Sequence, residues 1–332
     1  MWYSTAGCIV MLTLSLLMAP LVAPAQQTAK IARIGLLSLA SPADVALWYQ
    51  AFRQGLTDLG WIEGKNIRIE YRYAEGRTER LPDLAAELVR LQVDLIVAVS
   101  TSAVRAAKDA TTSIPIVIAG AIDPVRLGFV ASLARPGGNI TGISHSQPEL
   151  VGKQLEFLTT LLPTLSRVAF LGYSVSGRAG PRPFIEDMQD AAKRLGIQAQ
   201  VVVIGSVEEM ESAFAALSSE RAEALVIQPL LIGALEQGQR IADLAVKHRL
   251  PTISSQGGFA EVGGLLSYGP DSLALLRSAA VFVDKILKGA KPGDLPIEQP
   301  MKFELVINLK TAKALDLTIP PILLFQADKV IQ

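Results

Sequence analysis

The stretch Asp94-Leu95-Ile96-Val97-Ala98-Val99-Ser100 decides the fold that the sequence predicts. Its middle residues are all apolar and do not alternate with polar ones, as is typical of a central parallel strand covered on both faces. Thr101 and Ser102 follow at once, and a helix is predicted over Thr101–Ala110. We therefore interpret this stretch as one strand–helix step of a parallel α/β sheet.

The same step recurs on both sides of this stretch, in two series. The predicted strands are Ile31–Leu39, Ile67–Tyr73, Asp94–Ser100, Ile114–Gly120 and Asn139–Ser144, and then Val168–Gly172, Ala199–Ile204, Ala224–Pro229 and Thr252–Ser254. Two such series predict an α/β protein of two Rossmann-like, doubly wound lobes that face one another. The C-terminal part, including the run Phe303–Leu309, is too short for a third domain, so we expect it to cross back between the lobes.

The N-terminus has the pattern of an export leader. An apolar run extends from Cys8 to Met18, and Ala23-Pro24-Ala25 supplies the small residues that a signal peptidase requires. The run is shorter than the ~20 residues that span a bilayer, so it is typical of a leader and not of a membrane anchor. The alternative to a leader is a buried apolar helix. We predict a cleaved signal peptide over residues 1–25 and a mature protein in the periplasm, where ATP and reduced nicotinamide cofactors are not available.

The composition excludes several classes of function. Lys plus Arg and Asp plus Glu are equal at 31 each, which argues against nucleic acid as a partner. The single cysteine, Cys8, lies in the predicted leader, so no disulfide is expected in the mature chain. His145 and His248 are too few and too far apart for a histidine-based metal site. We expect neither a metal nor a cofactor.

Polar residues follow the predicted strands of both series, where ligands of parallel sheets bind and helix N-termini attract anions. The candidates are Ser38, Ser100, Thr101, Ser102 and Asp123 in the first lobe, Tyr173, Gln228, Ser254 and Gln256 in the second, and Tyr268 near a hinge. Together they predict a clamp for a small zwitterionic or anionic molecule. The serine cluster is also typical of a helix N-cap, and Asp123 before Pro124 of a turn.

Motifs that would indicate catalysis are missing from the sequence. It contains no G-x-G-x-x-G after the first strand, no G-x-x-x-x-G-K-[ST] and no G-x-S-x-G. No set of Ser, His and Asp indicates a catalytic triad. Trp48 and Tyr49 are interpreted as core or lobe-surface residues, with a wall on which a ligand stacks as the alternative. We therefore expect a binding protein and not an enzyme.

Five stretches resemble one family. They are Thr112-Ser113-Ile114-Pro115-Ile116-Val117 with Asp123-Pro124-Val125, Ser132-Leu133-Ala134-Arg135-Pro136-Gly137-Gly138-Asn139-Ile140-Thr141-Gly142, Gly263-Gly264-Leu265-Leu266-Ser267-Tyr268-Gly269, and Phe303-Glu304-Leu305-Val306-Ile307-Asn308-Leu309-Lys310-Thr311-Ala312. The chain is similar from about Ile31 onward to the substrate-binding proteins of ABC transporters, among them tryptophan- and tyrosine-type proteins. The resemblance implies a type I periplasmic binding fold that closes on a small-molecule ligand, such as an amino acid or related carboxylate, and presents it to an inner-membrane ABC permease. We expect a monomer.

The resemblance also implies domain boundaries and roles. Three crossovers would lie near Ser144, near Tyr268 and at residues 296–302, giving lobe 1 as residues 30–143 plus 268–296 and lobe 2 as residues 144–267 plus 297–332. The tract Arg135–Gly142 would be a structural corner. Relatives often carry an Asp where this chain has Gln228, which leaves Asp123 as the expected ammonium partner, or implies a ligand without an amine. An exported hydrolase and a sensor that docks on a membrane receptor stay open as alternatives.

Overall fold

The first of two sheets contains five parallel strands in the order β2-β1-β3-β4-β5. They are β1 (Ala32–Ser38), β2 (Ile67–Tyr73), β3 (Leu95–Val99), β4 (Ile116–Ile122) and β5 (Ile140–His145). The apolar run of β3 is the middle strand, paired with β1 and β4, and all of its residues are buried. The predicted central strand is thus confirmed. This computed structural model describes residues 31–145, 148–174, 182–232, 235–300 and 302–332, and the predicted leader lies outside them.

The second sheet has seven strands in the order β12-β11-β10-β9-β8-β6-β7. They are β6 (Arg167–Tyr173), β7 (Gln198–Ile204), β8 (Ala224–Ile227), β9 (Thr252–Ser254), β10 (Leu266–Pro270), β11 (Phe303–Asn308) and β12 (Lys329–Ile331). Strands β6 to β10 repeat the order of the first sheet, and β11 pairs antiparallel with β10. The run Phe303–Leu309, expected to cross between the lobes, instead begins with a strand of the second sheet because β10 offers it an open edge.

Helices cover both faces of both sheets. Those described are α1 (Ala46–Asp58), α2 (Leu81–Arg90), α3 (Thr101–Ala110), α4 (Pro148–Leu161), α5 (Arg182–Leu195), α6 (Met210–Ser219), α7 (Leu235–Lys247), α8 (Ser272–Leu287), α9 (Leu309–Ala314) and α10 (Pro321–Gln326). In α2, for example, Leu81, Leu84, Ala85 and Leu88 recur at helical spacing and are buried. Helices α1 and α8 pack on one face of the first sheet and α2 and α3 on the other; α4 and α5, and then α6 and α7, do the same for the second.

The chain passes three times between the sheets. It leaves the first sheet after β5, returns to it between β10 and α8, and leaves again between Glu298 and β11. Glu298 donates its backbone N–H to the carbonyl of Gly142 (2.9 Å) and accepts one from Ser144 (2.9 Å), so two crossings are bonded together. Tyr268 lies within β10, and the second crossing therefore follows Pro270.

The tract Arg135–Gly142 forms a tight corner before the first crossing. Gly142 has φ of +128°, and a Cβ there would lie 2.3 Å from the carbonyl oxygen of Ile118, so only glycine fits. Asn139 Nδ2 donates to the carbonyl of Ile114 (2.7 Å), and Thr141 Oγ1 donates to that of Leu295 (2.8 Å). These bonds fasten the corner to its neighbours, as a structural role requires.

Candidate ligand-binding site

The loops at the carboxyl ends of the two sheets meet across a salt bridge. Arg126 follows β4 of the first sheet, and its guanidinium donates to Glu186 Oε2 (2.7 Å) and Asp187 Oδ1 (2.9 Å). Both carboxylates lie near the start of α5, the helix after β6 of the second sheet. The strand ends that carry the predicted site residues therefore face one another.

Tyr173, the last residue of β6, marks a second approach between the lobes. Burial raises the pKa of its phenol, and the negative charge of Glu79 in the first lobe contributes next, ahead of Glu208 and Glu209. Glu79 lies in the turn after β2. Tyr173 is thus placed at the mouth of the second sheet, opposite the first lobe.

Backbone strain distinguishes the mouth of the first sheet. Ser100 has φ of +103° and ψ of 156°, a region that is essentially restricted to glycine, and its Oγ caps α3 by accepting from the N–H of Ala103 (3.3 Å). Such strain costs on the order of 1–3 kcal/mol and is concentrated at functional sites. Thr101 and Ser102 continue into the first turn of α3, half-buried. Ser38 ends β1, where its buried Oγ accepts from the N–H of Ala40 (3.2 Å).

Asp123 also adopts a positive φ, of +32°, at the end of β4. Its Oδ1 accepts from the backbone N–H of Arg126 (3.0 Å), while its Oδ2 lies 3.8 Å from the Arg126 guanidinium. Asp123 therefore opens a turn, and its carboxylate already has a cation beside it within the same lobe.

Polar side chains at the mouth of the second sheet bond mainly to backbone. Gln228 is buried, and its Oε1 accepts from the N–H of Tyr173 (2.7 Å). Ser254 is buried too; its Oγ donates to the carbonyl of Ile227 (2.9 Å) and accepts from the N–H of Gln256 (3.3 Å). These bonds hold the ends of β6, β8 and β9 in register.

Tyr268 lies away from the strand ends. Its ring packs against Phe157 of α4, with centroids 4.9 Å apart, and against Phe303 of β11 at 5.8 Å. Its carbonyl accepts from Gln154 Nε2 (3.3 Å). The structure thus places Tyr268 in the packing between α4 and the second sheet, beside a crossing.

Tyr49 is a residue that the sequence did not single out for the site. It is 3% exposed, and its ring centroid lies 6.2 Å from that of Tyr71 and 5.9 Å from that of Tyr73, at the end of β2. Its hydroxyl has no hydrogen-bond partner among the described residues. Burial raises the pKa of Tyr49; the Ser38 hydroxyl is near enough to oppose the shift but is not placed for a hydrogen bond. The pair Tyr71 and Tyr73, two apart at a strand end, is the sequence signal that could have indicated it.

Asp187 is the second residue that the sequence did not indicate. It is 8% exposed; its Oδ1 bonds Arg126, and its Oδ2 is buried without a partner among the described residues. Burial raises the pKa of this carboxyl, opposed by the hydrogen bond and charge of Arg126. In the sequence of α5 the pair Glu186-Asp187 is typical of an exposed acidic pair, since its contact with Arg126 involves the other lobe.

Two features are absent from the residues that the structure describes. The part of the chain that the structure describes contains no group of three or more His, Cys, Asp or Glu side chains able to hold a metal ion. Within the same residues, no helix combines the length and the apolar character needed to cross a membrane.

Comparisons with known proteins agree with this architecture. Residues 34–331 match the family model described as ABC transporter substrate binding protein. A tyrosine-binding protein of Clostridioides difficile is 28% identical over 286 residues, 86% of this chain and 81% of that protein.

Two solved structures superpose closely on the chain. An ABC domain from Streptococcus pneumonia in complex with L-Trp has a TM-score of 0.82 at 27% identity, covering 90% of this chain and 99% of that one. A conserved domain protein from Vibrio cholerae gives 0.82 at 27%, covering 91% and 100%. The expected type I periplasmic binding fold is confirmed. With the family model matched over nearly all of Ala32–Gln332, the chain belongs to the ABC transporter substrate-binding protein family.

Proposed function

We propose that the protein captures an amino acid between its lobes outside the cytoplasm and delivers it to the permease of an ABC importer. One observation supports this most. Arg126 of the first lobe bonds Glu186 and Asp187 of the second, so the carboxyl ends of both sheets face one another. Ligands of open parallel sheets bind at those ends.

The proposed ligand is an aromatic amino acid. A relative is named a tyrosine-binding protein, and a close structure holds L-Trp. In the first lobe, Ser38 and the cluster Ser100, Thr101 and Ser102 would bind the ligand carboxylate, helped by the N-terminus of α3. In the second, Tyr173, Gln228, Ser254 and Gln256 would close over it, with Tyr268 beside the hinge and Asp123 near the cationic end.

Closure of the two lobes on the ligand is the proposed mechanism. The three crossings act as a hinge, and a ligand that contacts both lobes favours the closed state by its differential affinity. Half-exposed ion pairs such as Arg126–Glu186 contribute only about 0–1 kcal/mol. The ligand therefore has to supply most of the free energy of closure.

Location and partners follow from the predicted leader and the family. Cleavage after residue 25 would release the mature chain into the periplasm, where a substrate-binding protein meets its inner-membrane permease. We propose that it acts there as a monomer, without a cofactor and without catalysis.

A thermal-shift screen of the mature protein, residues 26–332, tests the proposal. The panel comprises L-tryptophan, L-tyrosine and L-leucine, with D-glucose as the control. A ligand at 100 times its Kd adds about 2.7 kcal/mol of stability, a rise of several degrees. We expect such a rise with an aromatic amino acid. Mass spectrometry should then show that the amino acid is recovered from the protein chemically unchanged. An unfolding temperature that does not rise with any of the amino acids would contradict the proposal. A chemically altered amino acid would favour the exported hydrolase.

A further inference from the structure

Three carboxylates surround one guanidinium where the lobes meet. Arg126 lies 2.7 Å from Glu186, 2.9 Å from Asp187 and 3.8 Å from Asp123. Among the described residues, Arg126 is the cation placed against all three, so the cluster carries excess negative charge. A second cation at this place would reduce that excess.

The three carboxylates differ in how fully their oxygens are solvated or hydrogen-bonded. Glu186 is 52% exposed, so water solvates it, and both oxygens of Asp123 face Arg126 or its backbone N–H. Asp187 is buried, and its Oδ2 has no partner within the described residues. Of the three, Asp187 is therefore the carboxylate with an unmet acceptor.

An unpaired buried oxygen is costly. A buried acceptor without a partner costs about 1–3 kcal/mol, and more when it is charged. Native proteins seldom leave such a group without a purpose, and a ligand that binds against it is an ordinary explanation. Because Asp187 Oδ1 bonds Arg126 of the loop after β4, the carboxylate that carries this oxygen lies where the two lobes meet.

We propose that Asp187 Oδ2 accepts a hydrogen bond from the α-ammonium group of the ligand, while Arg126 holds Oδ1. This inference rests on the proposed function and names the residue that selects an amine. A ligand that has no hydrogen-bond donor at this place would leave the oxygen unpaired, so the site discriminates against analogues from which the amine has been removed. Burial raises the pKa of Asp187, and a bound ammonium would lower it again.

Calorimetric titration with matched ligands tests the proposal. L-Tryptophan is compared with 3-(indol-3-yl)propionate, which lacks only the amine, and L-tyrosine with 3-(4-hydroxyphenyl)propionate. We expect the wild-type protein to prefer the amino acid by about 100-fold, the order of a buried charge-assisted bond. Asp187→Asn should reduce this preference at least tenfold, chiefly by weakening the binding of the amino acid. If Asp187→Asn does not fold, Asp187→Ser serves the same purpose.

Two further variants separate recognition of the amine from a structural role. Glu186→Gln removes a charge from the same guanidinium and should keep the preference within threefold. An Asp187→Asn protein that binds both ligands of a pair more weakly by the same factor would overturn the inference, since Asp187 would then only join the lobes. A loss of preference in Asp123→Asn instead would also overturn it.

Failure of the proposed function would look different. If the wild-type protein bound no amino acid and no deaminated analogue, the proposed function itself would fail. If it bound both members of a pair equally, the binding function would stand and the role of Asp187 would be refuted.

Discussion

The two sheets share one strand order, yet the polar residues at their mouths are used differently. In the first sheet, Ser100 and Asp123 hold positive φ angles, and the Tyr49 hydroxyl is buried without a partner among the described residues. In the second, Gln228 and Ser254 bond the backbone of neighbouring strands. Topology thus places polar side chains at strand ends, but local hydrogen bonding decides which of them are left to bind a ligand.

One feature is common to both sheets: a glycine in the fifth strand that lies tight against backbone. A Cβ at Gly142 of β5 would lie 2.3 Å from the carbonyl oxygen of Ile118, and at Gly269 of β10 it would lie 2.0 Å from that of Ser255. Both strands lead into a crossing between the lobes. The two sheets therefore share a constraint at the crossings and differ at their mouths.

The glycines that precede the crossings give the largest expected effect. Gly142→Ala and Gly269→Ala should each lower the free energy of unfolding by about 3 kcal/mol or more, since the added methyl meets backbone that cannot move away. Urea unfolding measures it. Gly64→Ala is the control, because its φ of +83° is strained but no atom lies within 4 Å of the new Cβ, so the loss should be about 1 kcal/mol. Equal losses at all three positions would refute the shared constraint.

The divergent mouths give the next effect. Gln228→Ala should cost about 1–3 kcal/mol of stability because it leaves the N–H of Tyr173 without its acceptor. Ser102→Ala, in the first lobe, should change the free energy of unfolding by less than about 0.5 kcal/mol while weakening amino-acid binding. Urea unfolding and calorimetry on both variants measure the pair. If Ser102→Ala destabilised the protein as much as Gln228→Ala, the proposed difference between the two mouths would be wrong.

Backbone strain at Ser100 yields a smaller effect. Ser100→Gly relieves the positive φ and loses only a few tenths of a kcal/mol of capping, whereas Ser100→Ala keeps the strain and loses the cap. We expect the glycine variant to be more stable than the alanine variant by about 1–2 kcal/mol, as measured by thermal unfolding. Equal stability of the two variants would show that Ser100 is unstrained.

The smallest effect is the pH dependence that comes from Asp187. Its pKa is raised in the folded state, so the protonated carboxyl favours folding; this contribution is present at low pH and is lost as the pH rises through the raised pKa. Without ligand, the wild-type protein should therefore gain stability relative to Asp187→Asn as the pH falls from 7 toward 4. Urea midpoints at several pH values measure the difference. A difference that stays constant with pH would contradict the assignment.

The sequence predicted the parts of this protein that depend on local pattern. The continuous apolar run of β3 and the strand–helix alternation gave both lobes, and Asp123 before Pro124 indicated the turn that the structure contains. Properties that arise from packing between distant segments were not predictable. The bond between Asp187 and Arg126 joins residues of different lobes, and Phe303–Asn308 became a strand because β10 provides an antiparallel edge.

The measurement that tests closure most directly is a distance between the lobes. Cys8, the only cysteine of the sequence, lies in the predicted leader and is absent from a protein of residues 26–332. Asp109→Cys in α3 and Asp190→Cys in α5, both exposed, can therefore be spin-labelled together in that protein. We expect saturating L-tryptophan to shorten and narrow the distance distribution between the labels. Unchanged distances in a sample to which calorimetry shows L-tryptophan bound would contradict closure of the two lobes on an amino acid.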